Sequence, residues 1–260
     1  MNQTSSTQES EPTSEPQAVS RPPLGNLIRR YPATFGLIGV TVLIYLGQIL
    51  SEQVFGVDIL LVMGAKINEA IRAGEVWRLI TPIFLHVGIW HIFVNMYALF
   101  AIGPPVERFF GSRRMLTFYI LSGMTGVVFS LAFSPNPSVG ASGSIFGILG
   151  CFGMFLYTHR KIFGRPGSYQ LRQIIIIALF NLVLGFLVLQ IDNWGHLGGL
   201  VGGVLLTLFL GPLYEMVWMT EDQYRLVDSR PWSRIWPYTL VALLLIILAA
   251  YAATISPFTQ

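Results

Sequence analysis

Residues 140–147 read Gly140-Ala141-Ser142-Gly143-Ser144-Ile145-Phe146-Gly147, a run of small residues at the head of a long apolar segment. A hydroxyl without a partner is costly in a lipid environment. Ser142 is therefore either a packing hydroxyl between helices or a nucleophile, and the run alone allows both readings. Its spacing superficially resembles a nucleophile elbow. No strand precedes it, so the strand–turn–helix context of that motif is missing. The decision rests on which other polar groups lie at the same depth.

The surroundings are those of a membrane. Of 260 residues, 53% are hydrophobic and 11% are charged, whereas soluble domains are about a quarter charged. The net charge of +3 is small, and no basic stripe interleaved with aromatics is present, which argues against a nucleic-acid partner. Cys151 is the single cysteine; it forms no intrachain disulfide and reads as a small lipid- or helix-facing residue. Residues 1–30 are rich in Ser, Thr, Glu, Pro and Gln, hold no signal-peptide apolar block, and read as a disordered tail.

A membrane helix needs about 20 mostly apolar residues. Such segments fall near 34–50, 88–103, 114–133, 142–158, 172–190, 195–214 and 236–255, which predicts an all-α, polytopic membrane helix bundle of seven spans. The intervening stretch 51–87 mixes Ile59-Leu60-Leu61-Val62-Met63 and Trp77 with charges and reads as short amphipathic helices in the interface. Arg21, Arg29 and Arg30, then Arg108, Arg113 and Arg114, then Arg160, Lys161, Arg165 and Arg172, then Arg225, Arg230 and Arg234 all fall on one side. Loops 134–141 and 191–194 carry no Lys or Arg. The basic side is cytoplasmic by the positive-inside rule, so the N-terminus is expected inside and the C-terminus outside, in a multi-pass protein of the plasma membrane. Loop 51–87 sets four acids against three bases and is neutral on this point.

This orientation puts Ser142 near the outer end of span four. His196 sits in the first turn of span six, and His91 and Asn95 share one face of span two. His86 lies just outside them. Polar groups from three even-numbered spans thus meet in the outer leaflet, where an ionisable residue is a functional candidate. Gly143 and Gly147 form one small-residue ridge; Gly195, Gly199 and Gly203 form another, and Gly198 and Gly202 a third. Such ridges let helix backbones approach closely and bring a serine to its base. The glycines also leave backbone N–H groups accessible at a helix N-terminus, where negative charge is stabilised. Asp192 reads either as a third member orienting His196 or as a solvated loop carboxylate. His159, beside Arg160 and Lys161, reads as an interface residue. His86, His91 and Asn95 lack a thiolate or carboxylate partner and the HExxH spacing, so no metal is expected.

In this order the residues resemble the rhomboid family of intramembrane serine proteases over about 75–215. Trp77-Arg78 is similar to its WR motif, His86-x4-His91-x3-Asn95 to its second-helix signature, Gly140-Ala141-Ser142-Gly143 to its GxSG motif, and His196 with Gly199 and Gly203 to its sixth-helix pattern. Glu107-Arg108 before Phe109-Phe110-Gly111-Ser112 resembles the turn after the second helix. The resemblance implies a six-helix core over 31–218, a cytoplasmic loop over 219–235 and one added helix over 236–256. It implies a Ser–His dyad without an aspartate or cofactor. Ser142 would be the nucleophile and His196 the base. His91, Asn95 and the Ser142 N–H would form the oxyanion hole. Gly140, Gly143, Phe146 (under the histidine ring), His86 and Gly199 would support them. The implied partners are transmembrane protein substrates, entering from the lipid bilayer and cleaved near the outer face.

Overall fold

The computed structural model describes residues 24–187, 191–220 and 223–255. The expected disordered tail lies outside the described residues up to residue 23. Over its remainder, Leu24–Arg30 forms helix α1, which corrects the expectation there; Leu24, Leu27 and Ile28 supply a helical apolar spacing. Residues 1–30 form one unit and Tyr31–Gln260 a second, and the rest of the description concerns the second.

It runs α2 (Pro32–Phe55), α3 (Ile59–Gly64), α4 (Asn68–Arg72), α5 (Ile89–Phe110), α6 (Ser112–Phe133), α7 (Ser142–Thr158), α8 (Arg160–Leu187), α9 (Asn193–Leu210), β1 (Tyr214–Trp218), β2 (Tyr224–Asp228) and α10 (Trp232–Thr254). Helices α2, α5, α6, α8, α9 and α10 are each long and apolar enough to cross a bilayer, and α7 is a shorter apolar helix. The chain is a multi-pass membrane helix bundle, with α10 as the added seventh helix. Short helices and helical turns occupy 59–84 as expected from the mixed composition, while 51–55, expected with them, continue α2.

Three helices make the centre. The glycines of α9 form two faces, one for each neighbour. On the first, a methyl group on Gly199 would lie 2.0 Å from the Gly143 carbonyl oxygen, and one on Gly203 would lie 1.9 Å from that of Gly147. On the second, Gly198 meets Phe129 and Gly202 meets the Thr125 hydroxyl of α6. Helices α7 and α9 therefore touch backbone to backbone, which only absent side chains permit. Helix α10 covers the far side of α6, and α2 pairs with α5.

Helix α5 continues through Pro104 and Pro105, past the span end expected at residue 103. An interior proline costs about 3 kcal/mol, and here tertiary burial outweighs it. Val106, Glu107 and Phe110 are all buried. The Glu107 carboxylate accepts from the Ala33 and Thr34 N–H groups at 2.9 and 2.8 Å, the Thr34 hydroxyl at 2.7 Å and the Ser112 hydroxyl at 2.6 Å. Its charge sits against the positive end of α2, supplying the cap that Tyr31 does not. Gly103 packs on Thr34 in the same joint.

The expected loop 219–235 is corrected. The chain leaves α9 at Gly211 and forms an antiparallel hairpin pairing Tyr214 with Asp228 through Trp218 with Tyr224, and α10 starts at Trp232. Its aromatic and β-branched residues favour strands. Asp228 accepts from Leu213 N–H at 2.9 Å and pairs with buried Arg114 at 3.1 Å. His159 is also corrected: it is buried rather than interfacial. Its Nε2 accepts from Tyr214 N–H at 2.8 Å while its Nδ1 faces the Phe155 carbonyl at 2.8 Å. This joint ties the hairpin to the end of α7, and burial holds the His159 pKa below its ordinary value.

Replacing Glu107 by Ala leaves the first N–H groups of α2 buried and unpaired. Loss of hydrogen bonds to a charged acceptor costs about 2–3 kcal/mol. Glu107→Ala is expected to melt well below wild type in detergent; superimposable melting curves would refute this account of the α2–α5 joint.

Candidate active site

Ser142 is the first residue of α7, and His196 lies in the first turn of α9. The backbone contact between these helices starts where both side chains leave their helices. Ser142 Oγ and His196 Nε2 are 2.8 Å apart. The imidazole stacks on Phe146, with ring centroids 4.4 Å apart and planes 10° from parallel. One turn of helix separates Phe146 from Ser142, so α7 supplies both the hydroxyl and the surface that orients its partner.

Asp192 takes no part in that orientation. Its carboxylate accepts from Gly195 N–H at 3.0 Å and caps α9. His196 Nδ1 has no hydrogen-bond partner among the described residues. The pair is a serine and a histidine without a third carboxylate. Of the two readings left open for Asp192, neither is complete: it is neither a triad member nor merely solvated.

His91 is aimed at Gly140. A methyl group on Gly140 would lie 2.8 Å from His91 Nε2 and 2.9 Å from Cε1. Gly140 also has φ +132°, a conformation that other residues avoid. His91 Nδ1 accepts from Val87 N–H at 3.4 Å. The neutral ring then carries its proton on Nε2, a donor directed at the approach to Ser142. Asn95, one turn further along α5, is buried and donates to the His91 carbonyl at 2.8 Å. No hydrogen bond joins Asn95 to Ser142. Its second amide hydrogen remains for another acceptor.

His86 supports the serine through the backbone. Its Nε2 accepts from Ala141 N–H at 3.3 Å, which requires a neutral ring. Burial, then the neighbouring His91, lowers its pKa to about 4. The rings of His86 and His91 meet edge to face at 5.0 Å. Among the described residues no three His, Cys, Asp or Glu side chains form a group able to hold a metal.

Several contributors escaped the sequence reading. Gln48 of α2 is buried and grips His86 on both backbone groups: it accepts from the N–H at 3.0 Å and donates to the carbonyl at 3.2 Å. A polar residue at this position inside an otherwise apolar span was the available signal. Trp77 and Arg78, already singled out as a motif in the sequence, act here through hydrogen bonds that the sequence did not show: Trp77 donates to the Met63 carbonyl at 2.9 Å, and Arg78 to the Ala65 and Val62 carbonyls at 2.6 and 3.0 Å. These two side chains close the end of α3 and fold 56–87 into a fixed collar. Lys66, read only as one charge in a mixed loop, is fully buried. A cavity of about 30 Å³ adjoins Ser142, with Ile83, Gly123, Gly126 and Val127 in its wall.

Fold and site together define a polytopic helical membrane protein with a serine and a histidine in hydrogen-bond contact at one end of its central helices. The rhomboid-domain family model matches residues 73–213, and the chain belongs to the rhomboid family. It is 43% identical over 178 residues to rhomboid protease GluP of Bacillus subtilis (strain 168), an alignment covering 68% of this chain and 34% of that protein. RHOMBOID-like protein 1 of Arabidopsis thaliana is 38% identical over 65% of this chain and 41% of its own length. RHOMBOID-like protein 5 of the same plant is 38% identical over 60% of this chain and 51% of its own. The chain thus spans between about a third and a half of these relatives.

The depressed His86 pKa has a consequence for stability. The unfolded chain binds more protons than the folded one between about pH 4 and the ordinary histidine value of 6.5. Stability contributed here is present above that window and is lost as pH falls through it. His86→Asn keeps an acceptor for Ala141 N–H without titrating. The melting temperature of wild type is expected to drop more steeply between about pH 6.5 and 4 than that of His86→Asn; equal slopes would exclude a buried neutral His86.

Proposed function

We propose that this chain is an intramembrane serine endopeptidase that cleaves transmembrane segments of other proteins near the outer face of the membrane. The observation that carries the reading is the 2.8 Å contact of Ser142 Oγ with His196 Nε2, with the ring held on Phe146. Membership of the rhomboid family, and the protease named among the relatives, support it.

In this mechanism His196 Nε2 takes the hydroxyl proton as Ser142 Oγ attacks the scissile carbonyl carbon. The carbonyl π electrons move to oxygen, giving a tetrahedral oxyanion. Three donors serve it: His91 Nε2–H, the free amide hydrogen of Asn95 and the Ser142 N–H at the head of α7, where the helix dipole adds its positive end. The imidazolium returns its proton to the leaving amine, and the C–N bond breaks to an acyl-enzyme. Water, deprotonated by His196, then attacks the acyl carbon; the ester C–Oγ bond breaks, the imidazolium returns its proton to Ser142 Oγ, and the new carboxylic acid leaves. Asp192 caps α9 and makes no hydrogen bond to the imidazole, so it stands outside the proton transfers.

The scissile segment must be unwound, because a helical peptide group is shielded by its own hydrogen bonds. The cavity beside Ser142, about 30 Å³ and walled in part by five glycines, fits a small side chain. The basic residues of the opposite end support, by the positive-inside rule, a cytoplasmic N-terminus and an outer C-terminus, and the membrane is taken to be the plasma membrane. Substrate segments come from the lipid; α2, α5, α8 and α10 all leave most of their surface uncovered by the rest of the bundle.

A tagged transmembrane substrate in liposomes tests this. Ser142→Ala and His196→Ala are expected to abolish cleavage, and a fluorophosphonate probe is expected to label wild type but not Ser142→Ala. Asn95→Ala should lose about 100–1,000-fold in turnover, the usual effect of deleting one oxyanion donor. Cleavage undiminished in Ser142→Ala would sink the nucleophile assignment.

A further inference from the structure

The segment 134–141, Ser-Pro-Asn-Pro-Ser-Val-Gly-Ala, delivers Ser142 to the site. It is irregular chain between α6 and α7, and its two prolines have no N–H to offer. Non-helical backbone beside a membrane must find its hydrogen bonds within the protein. Most of them come from one place. The Lys66 ammonium donates to the Ser134 and Asn136 carbonyls at 2.8 and 3.0 Å. Lys66 and Ser138 exchange both backbone hydrogen bonds, at 3.0 and 3.1 Å. Asn68 adds a donor to Ser134 at 3.0 Å. Beyond Ser138, the Gly140 N–H is held by the Pro82 carbonyl at 2.9 Å.

We infer that Lys66 is a positioning residue for catalysis, its ammonium fixing segment 134–141 so that Ser142 meets His196 and the His91 donor in register. This rests on the serine-protease reading above. The inference goes beyond packing because the ammonium's acceptors lie on the segment that carries Ser142 to the site. Among the described residues no carboxylate hydrogen-bonds to the ammonium; its acceptors are neutral carbonyls that an amide could also serve. Burying an ion costs free energy, and burial accordingly lowers the Lys66 pKa from 10.5 to about 8. Asp192 at the head of α9 and Glu69 of α4 oppose that shift, while Arg72 of α4 adds to it. Segment 134–141 itself carries no titratable side chain.

Positioning and mere stability now predict opposite responses to alkali. Between about pH 8 and 10.5 the unfolded chain binds more protons at this lysine than the folded one, so the fold gains stability as pH rises through that window. The grip on segment 134–141 weakens over the same window, because a neutral amine holds carbonyl oxygens less strongly than an ammonium. Turnover should therefore fall where the melting temperature holds or rises.

The test measures kcat and KM for a tagged transmembrane substrate in liposomes, and melting in detergent, from about pH 6.5 to 9.5. Wild type is expected to lose kcat as pH passes about 8, with KM unchanged. Lys66→Met, which keeps the stem without the ammonium, is expected to lower kcat about ten- to a hundredfold, as for a misplaced reacting group. Lys66→Gln, which keeps a donor, is expected to fold, to fall between the two and to lack the alkaline decline. A decline that persists in Lys66→Gln, or a Lys66→Met kcat within about twofold of a wild type without one, overturns the inference. Ser142→Ala measured alongside separates the two claims. If it is inactive while Lys66→Met is fully active, only the role of Lys66 falls; if it remains active, the protease reading falls and this inference with it.

Discussion

Everything at the site depends on two helices meeting without side chains between them. The Gly143 and Gly147 carbonyls of α7 lie where Gly199 and Gly203 of α9 have no Cβ. In lipid there is little hydrophobic drive to press helices together, so close packing itself must hold them. The same contact sets the spacing at which Ser142 and His196 leave their helices, and it also fixes Phe146 under the imidazole. Helix α9 uses its second glycine face on α6, so the histidine helix is clamped from two sides and has little freedom to tilt.

Around this clamp the polar groups follow one rule: each irregular backbone segment near the site is held by a buried side chain from elsewhere. Gln48 holds the His86 backbone, His86 holds Ala141, Arg78 closes α3, and Lys66 holds segment 134–141. Glu107 does the same for the first turn of α2 at the other end. The first four come from α2 and from the 56–87 stretch, so the serine's surroundings draw on parts of the chain well outside the two helices that carry Ser142 and His196.

The difference between local and distant partners explains what could be read from the sequence. Apolar runs gave the seven spans because lipid imposes their length. Glycine spacing gave the helix faces that meet, because three- and four-residue intervals are local. The seam between Ser142 and His196 was legible for that reason. Lys66 was not: its acceptors lie some 70 residues away, at Ser134 and Asn136, and a lysine among mixed charges reads as solvated. Asp192 read as a loop carboxylate since its capping role depends on where α9 begins. The second span is expected to end near residue 103 because an apolar run is a local signal, whereas the burial of Val106, Glu107 and Phe110 that carries α5 onward is tertiary. The hairpin after α9 did leave a local sign in Tyr214-Glu215-Met216-Val217-Trp218, overlooked beside the stronger apolar signal of the neighbouring spans.

The length of α7 has a further meaning. Its 17 residues, Ser142–Thr158, rise roughly 25 Å at 1.5 Å per residue, against a hydrocarbon layer of about 30 Å. With Thr158 at one boundary, the serine stops short of the other. The helix is a ruler: it fixes the height of the reacting hydroxyl above the far surface by counting residues. One turn more or less in α7 would move the hydroxyl by about 5 Å.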